Sequence, residues 1–279
     1  MSISYVKVSK HPKIFLQITG VNLEQFNIII SEIREKWEKE IINNKKCHGR
    51  TSNLPTLEDK VFCLLIYYRT YITHTLLGLL CNLDNSNICR LFKKLEPFMA
   101  KKIHIKRDKT LTYDKLLEIL ADVTESPTQK PKKKQRQKYS GKKKRHTNKT
   151  EIVMKKDGKI IAVSRTYGGR THDFKIRKRS KPLPYLAKTY VDSGYQGLQK
   201  VQQNVVLPFK RRRNVPLTEE QRFYNTKLAS TRIKIEHKFR QIKIFRILKD
   251  TYRNFQKDFN MRFNIIAQIV NLKSGFAMA

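Results

Sequence analysis

Apolar residues fall at helical spacing over the first hundred positions and again near the C-terminal end, whereas the middle of the chain holds short apolar runs separated by turns. Asn22 with Gln25 three residues on forms a capping box, and Phe26, Ile29, Ile30, Ile33 and Trp37 continue from it as a helical stripe. The polar stretch 45–55, with Gly49 and Pro55, is a connection. Leu57, Val61, Leu64, Leu65 and Tyr68 mark the next helix, which breaks near Tyr71. An apolar stretch over 73–80, a polar turn at 82–85 and a short helix over 86–95, ending before Pro97, complete the N-terminal pattern.

The run 116–123 is interrupted only by Glu118 and delivers Asp122. Helix and strand both fit so short a run, and Pro127 favours a strand that ends close to Asp122. The stretch 129–149 is dense in Lys and Arg, has no Asp or Glu, and reads as a solvated basic loop carrying Tyr139 and a Ser140-Gly141 turn. Residues 151–154 and 160–163 flank Asp157-Gly158, a hairpin signal that Gly168-Gly169 closes. The run 189–195 is a buried strand delivering Asp192 into a turn, and 205–207 is another strand, closed by Pro208. Thr218 with Gln221 opens a long helix free of Gly and Pro, and 255–272 is a last helix with Phe259, Phe263, Ile266 and Ile269 at core spacing.

Strand, hairpin, strand and helix in that order predict an α/β layer architecture, a mixed sheet with flanking helices preceded by an all-α region. The expected division is 1–50, a leader and helix; 51–110, a helix-turn-helix; and 111–279, the sheet-bearing domain. Asn87, Arg90, Lys93 and Lys94 on the second short helix fit a reading helix offered to a major groove. A small structural bundle has the same periodicity.

Charge sharpens this picture. Sixty Lys and Arg against 23 Asp and Glu give a formal net charge of +37, an excess that a polyanionic partner relieves. A membrane surface is the competing partner, but no amphipathic anchor, secretory h-region or spanning run is visible, so the protein is expected to stay in the cytoplasm with the nucleoid. Cys47, Cys63, Cys81 and Cys89 match no zinc pattern and read as reduced thiols.

At ~100° per residue, Arg232, Glu236 and Lys243 fall within ~40° of one another beside the apolar stripe of Leu228, Ile235, Phe239 and Ile242. Alone, Arg232 and Glu236 read as an i,i+4 ion pair in the less favourable order. Asp122 and Asp192 at strand ends change that reading, because neighbouring carboxylates repel unless a cation joins them. Hard oxygen ligands favour Mg²⁺ or Mn²⁺, and two such ions support in-line displacement at phosphorus. The surrounding positive charge, with Lys142, Lys143 and Lys144 in the basic loop, indicates that the phosphorus belongs to a nucleic acid. Asp173 reads as a helix N-cap rather than a ligand, and His172 as a loop residue. No P-loop and no Gly-x-Gly-x-x-Gly is present.

Several blocks resemble the insertion-sequence transposases of the DDE superfamily: Asp122-Val-Thr-Glu-Ser-Pro127, Tyr139-Ser-Gly-Lys-Lys-Lys-Arg-His146, Gly169-Arg-Thr-His-Asp-Phe174, Val191-Asp-Ser-Gly-Tyr-Gln-Gly197, and Arg232-x3-Glu236-x6-Lys243. The resemblance implies a ribonuclease H-like catalytic core, with Asp122, Asp192 and Glu236 as a metal-binding triad for two Mg²⁺ or Mn²⁺ ions. It also implies contact of Arg232 and Lys243 with transposon-end DNA, target joining by a freed 3′-hydroxyl, and a homodimer assembled on DNA. The family's signature often has Tyr where this chain has Ala229, which cannot stack on a base. The alternatives are a DNA-binding regulator without catalysis and a metal-dependent nuclease without strand transfer.

Overall fold

The computed structural model describes residues 3–42, 52–105, 117–184, 186–211, 213 and 215–278. Cys47 and the expected boundary at 110/111 lie outside the described residues. Contacts divide the chain into two compact units, one of Met1–His104, Lys243–Asp250 and Gln256–Ala279, the other of Ile105–Ile242 and Thr251–Phe255.

The first unit begins with α1 (Tyr5–Ser9), α2 (Pro12–Thr19) and α3 (Leu23–Trp37). The capping box at α3 forms as the residue types dictate, with Asn22 Oδ1 accepting the Gln25 N–H at 2.8 Å and Gln25 Oε1 accepting the Asn22 N–H at 3.1 Å. Next come α4 (Leu57–Thr70), α5 (His74–Cys81) and α6 (Asn85–Lys102). Residues 61–68 of α4 are buried without a break, so this helix is the centre of the unit rather than an amphipathic cover. Phe15 packs against both Phe26 and Phe62, with ring centroids 5.3 and 5.5 Å apart.

Between α5 and α6 the chain turns tightly. Asn82 takes a left-handed conformation (φ 52°), the Leu83 N–H donates to Gly78 O at 2.8 Å, and Asp84 caps α6. A Cβ on Gly78 would lie 2.4 Å from Leu83 O, so the turn requires glycine there. The expected stop before Pro97 does not occur, and α6 runs on to Lys102. Proline removes one backbone hydrogen bond, but Leu95, Phe98 and Met99 are buried on either side of it, and that burial outweighs the break.

The second unit is built on a mixed sheet. Its elements are β1 (Glu118–Pro127), α7 (Gln135–Lys138), β2 (Tyr139–Ser140), β3 (Arg145–Lys155), β4 (Ile160–Val163), β5 (Tyr167–Gly168), α8 (Asp173–Arg179), β6 (Lys188–Tyr190), β7 (Val205–Val206) and α9 (Glu219–Lys243). The strand order is β2-β3-β1-β6-β7, with β4 and β5 also paired to β3. β1 runs antiparallel to β3 and parallel to β6. The Asp157-Gly158 hairpin forms, with Gly158 at φ 100°. Two expectations change. β1 continues five residues past Asp122 because β3 pairs with it as far as Pro127, and the basic stretch is no simple loop, since β3 already begins at Arg145.

One face of the sheet packs Ile119, Ala121, Val153, Val191, Tyr195 and Leu198 into a core. On that side the Arg177 guanidinium donates to Glu151 Oε2 at 2.7 Å and the Tyr195 hydroxyl to Glu151 Oε1 at 3.0 Å. Burial pushes the Glu151 carboxyl up, against the pull of Arg177. Leu120 and Asp122 point to the opposite face by the period of two along β1. α9 opens on the expected capping box, with Thr218 and Gln221 exchanging bonds at 3.3 Å, and buries Leu228, Ile235, Lys238 and Ile242.

The chain then returns to the first unit through α10 (Arg246–Lys249) and α11 (Gln256–Lys273). Arg262 of α11 donates to both oxygens of the buried Glu96 on α6, at 2.7 and 2.8 Å, and the Tyr68 hydroxyl donates to the same carboxylate at 3.1 Å. Arg262→Met should lower unfolding free energy by about 3–5 kcal/mol, because Glu96 would be left charged and buried without its partner. Adding Glu96→Gln should recover most of that loss. Denaturant titration of the two variants checks both statements.

Candidate active site

Sheet register brings two acids level. Leu120 pairs with Tyr190 on the last rung between β1 and β6, and Asp122 and Asp192 each lie two residues beyond it. Asp192 leaves the strand as the cap of a short 3₁₀ turn, its Oδ1 accepting the Ser193 N–H at 2.7 Å. Asp122 Oδ1 likewise accepts the Val123 N–H at 2.7 Å.

Arg232 on α9 joins the pair. Its Nη1 lies 3.2 Å from Asp192 Oδ1 and its Nη2 3.5 Å from Asp122 Oδ2. One guanidinium thus sits between two carboxylates, and its Nε is buried without a hydrogen-bond partner. Glu236, one turn along the same helix, lines the same cavity of about 450 Å³ and is exposed. All three sequence-predicted acids therefore face one space, together with Arg232.

The environment sets the charge of Asp122. Only 18% of its side chain is exposed, and burial pushes its carboxyl up to about 6. Arg232 and the Val123 N–H oppose that rise, while Asp192 and Asp173 add to it. The net direction shows that desolvation outweighs the guanidinium.

Further residues line the cavity that sequence reasoning did not single out. Lys149 Nζ lies 2.9 Å from Asp173 Oδ1 and 3.5 Å from Glu125 Oε1, and Glu125 Oε2 accepts the Thr147 hydroxyl at 2.9 Å. A period of two assigns Glu125 to the opposite face from Asp122, and Lys149 is hidden in the basic run, so no local signal grouped them. Asp173 is not the N-cap of α8; His172 holds that place without a side-chain bond, and Asp173 turns to Lys149 instead. Gly169 approaches its neighbours so closely that a Cβ would stand 2.1 Å from Thr147 Oγ1.

Lys142 lines the cavity; Lys143 and Lys144 are exposed in the same β2–β3 turn. Asn87, Arg90 and Lys93 are exposed on α6 of the first unit, Arg90 donating to Asn87 Oδ1 at 3.2 Å. Lys243 is the last residue of α9 and groups with the first unit. Among the described residues no three His, Cys, Asp or Glu side chains are grouped closely enough to hold a metal ion. The donor chemistry nevertheless suits a hard divalent cation, since three carboxylates face one cavity and a cationic group already stands between two of them. Among the described residues no helix is long and apolar enough to cross a membrane.

The family model described as DDE superfamily endonuclease matches residues 121–273, and that described as helix-turn-helix of DDE superfamily endonuclease matches residues 52–104. The protein assigned as transposase for insertion sequence element IS702 of Microchaete diplosiphon is 36% identical over 263 residues, 92% of this chain and 93% of its own. That assigned to insertion sequence element IS112 of Streptomyces albus G is 25% identical over 249 residues, 88% and 89% of the two chains. No solved structure matches the chain.

Because folding raises the Asp122 carboxyl, the folded chain binds a proton that the unfolded chain has released between pH ~4 and ~6. Stability therefore falls as pH rises through that window, by roughly 3 kcal/mol if the whole shift is expressed. Asp122→Asn should raise metal-free stability at pH 7 by up to that amount and flatten the dependence on pH. Thermal melts in EDTA at pH 4–8 check this; a variant weaker than wild type at pH 7 would mean that the Arg232 contact outweighs burial.

Proposed function

Because the chain belongs to the DDE superfamily of insertion-sequence transposases, we propose that it cuts the ends of a DNA element and joins the freed 3′-hydroxyl to target DNA. The observation that carries this reading is the convergence of Asp122, Asp192 and Glu236 on one cavity within a chain of net charge +37. Asp122, Asp192 and Glu236 would hold the divalent ions, Mg²⁺ or Mn²⁺. Bound there, such ions activate the attacking oxygen and stabilise the leaving oxygen of an in-line displacement at phosphorus.

The chain's own groups supply the rest. Arg232 holds the carboxylate pair together, and were the acids to hold a cation instead, its guanidinium would be free to turn its donors to a phosphate. Lys142, Lys143 and Lys144 grip backbone phosphates without reading sequence. Asn87, Arg90 and Lys93, on the exposed face of α6, read the terminal repeats. In this reading 51–110 is the end-recognition domain, 111–279 carries catalysis, Lys243 contacts end DNA, and two copies assemble on paired ends.

Incubation with end DNA, a plasmid target and Mg²⁺ tests the proposal. Joined products support transposition, cleavage alone a nuclease, and retardation without breakage a regulator. Asp192→Asn should reduce cleavage by about a thousandfold, or roughly 4 kcal/mol in the barrier, while leaving end binding nearly intact. Loss of binding and cutting together would make Asp192 structural. Lys142→Ala or Lys143→Ala should weaken binding to every DNA sequence and lower the slope of log affinity against log salt by roughly one per residue.

A further inference from the structure

A second cavity, of about 640 Å³, adjoins the acidic one, and Gly141 and Arg170 line both. Its remaining lining includes Lys130, Arg136, Tyr139 and His146. No carboxylate lines it, and among the described residues Lys130, Arg136 and Arg170 have no ion-pair partner. In the acidic cavity, by contrast, Arg232 and Lys149 are each set against two carboxylates.

Tyr139 supplies what a purely electrostatic groove lacks. It pairs across β2 and β3 with His146, the two rings meeting edge to face at 5.6 Å and 76°. Tyr139 keeps 41% of its surface exposed. The backbone beneath is rigid: a Cβ on Gly168 would stand 2.4 Å from Gln137 O, and the Arg170 N–H donates to that same carbonyl at 3.3 Å. An exposed aromatic ring on a rigid base, ringed by free cations, is the arrangement on which unpaired bases stack while their phosphates are neutralised. The volume lies within the ~300–1,000 Å³ of ordinary ligand clefts, ample for one nucleotide. A base still inside a duplex does not present its face, so the ring favours an unpaired strand.

We propose that this cavity is a subsite for one unpaired nucleotide of the DNA strand entering the acidic cavity, with its base on Tyr139 and its flanking phosphates on Lys130, Arg136 and Arg170. The inference rests on the acidic cavity being a DNA-processing site, but its test measures binding alone.

The full chain, in EDTA, is titrated with fluorescein-labelled (dT)12, with a strand of equal length whose internal nucleotides are abasic, and with a blunt 20-bp duplex. The wild type should prefer (dT)12 over the abasic strand by about five- to a hundredfold. Tyr139→Ala should erase that preference, leaving duplex affinity and the salt slope unchanged, and Tyr139→Phe should retain it. Arg136→Gln should lower the slope on (dT)12 by about 0.7 with the preference intact. Equal wild-type binding to the two strands, or a preference that survives Tyr139→Ala, would overturn the proposal. So would an equal loss by Tyr139→Ala on all three probes, which would show a general clamp. Photo-crosslinking of a 5-iodouracil strand to the wild type needs no variant to fold: adducts on Tyr139 or His146 support the subsite, and adducts confined elsewhere refute it. A protein that fails to cut yet keeps base preference would sink the transposase reading alone.

Discussion

One guanidinium between two carboxylates holds the acidic cavity together. Asp122 and Asp192 are brought level by a parallel pairing of three rungs, and so close an approach of like charges is unfavourable. Arg232 offsets the repulsion with a different nitrogen for each acid. The compensation is incomplete, because burial still drives the Asp122 carboxyl up to about 6. Burial and the neighbouring Asp192 thus both favour the neutral form of Asp122, and Arg232 only partly opposes them.

The rest of the second unit serves to keep that arrangement in place. Glu151, one residue before the position opposite Asp122 on β3, is buried with Arg177 and Tyr195 on the far face of the sheet. That network ties β3 to α8 and to the turn that follows Asp192. Lys149 performs a similar office on the cavity side, neutralising Glu125 and Asp173 so that neither adds its full charge to the pair beside Arg232. Contact is equally tight at Gly169, where a Cβ would stand 2.1 Å from Thr147 Oγ1 and 3.0 Å from Lys138 O. The acids are thus placed by three different elements: Asp122 by β1, Asp192 by the short turn that follows β6, and Glu236 by α9.

Much of this was legible along the chain. The capping boxes at Asn22 and Thr218, the Asp157-Gly158 hairpin and the α5–α6 turn are local events, governed by residues close together in the chain, so the residue types alone determined them. The strongly positive charge named a polyanion as partner for the same reason: it is a sum that folding does not alter. The motif blocks marked Asp122, Asp192 and Glu236, and membership of the family follows from similarity along the chain.

What tertiary structure alone decided concerns residues far apart in the chain. The length of β1 beyond Asp122 was set by β3, and the passage of α6 through Pro97 by the burial of Leu95, Phe98 and Met99. The pairing of Arg262 with Glu96, 166 positions away, has no trace in either local pattern. Arg232 is the clearest case. On the helix it looks like half of an i,i+4 pair with Glu236, yet in the fold it turns to Asp122 and Asp192. Local periodicity assigns a side chain to a face; only the sheet brought against that face determines which charge it meets.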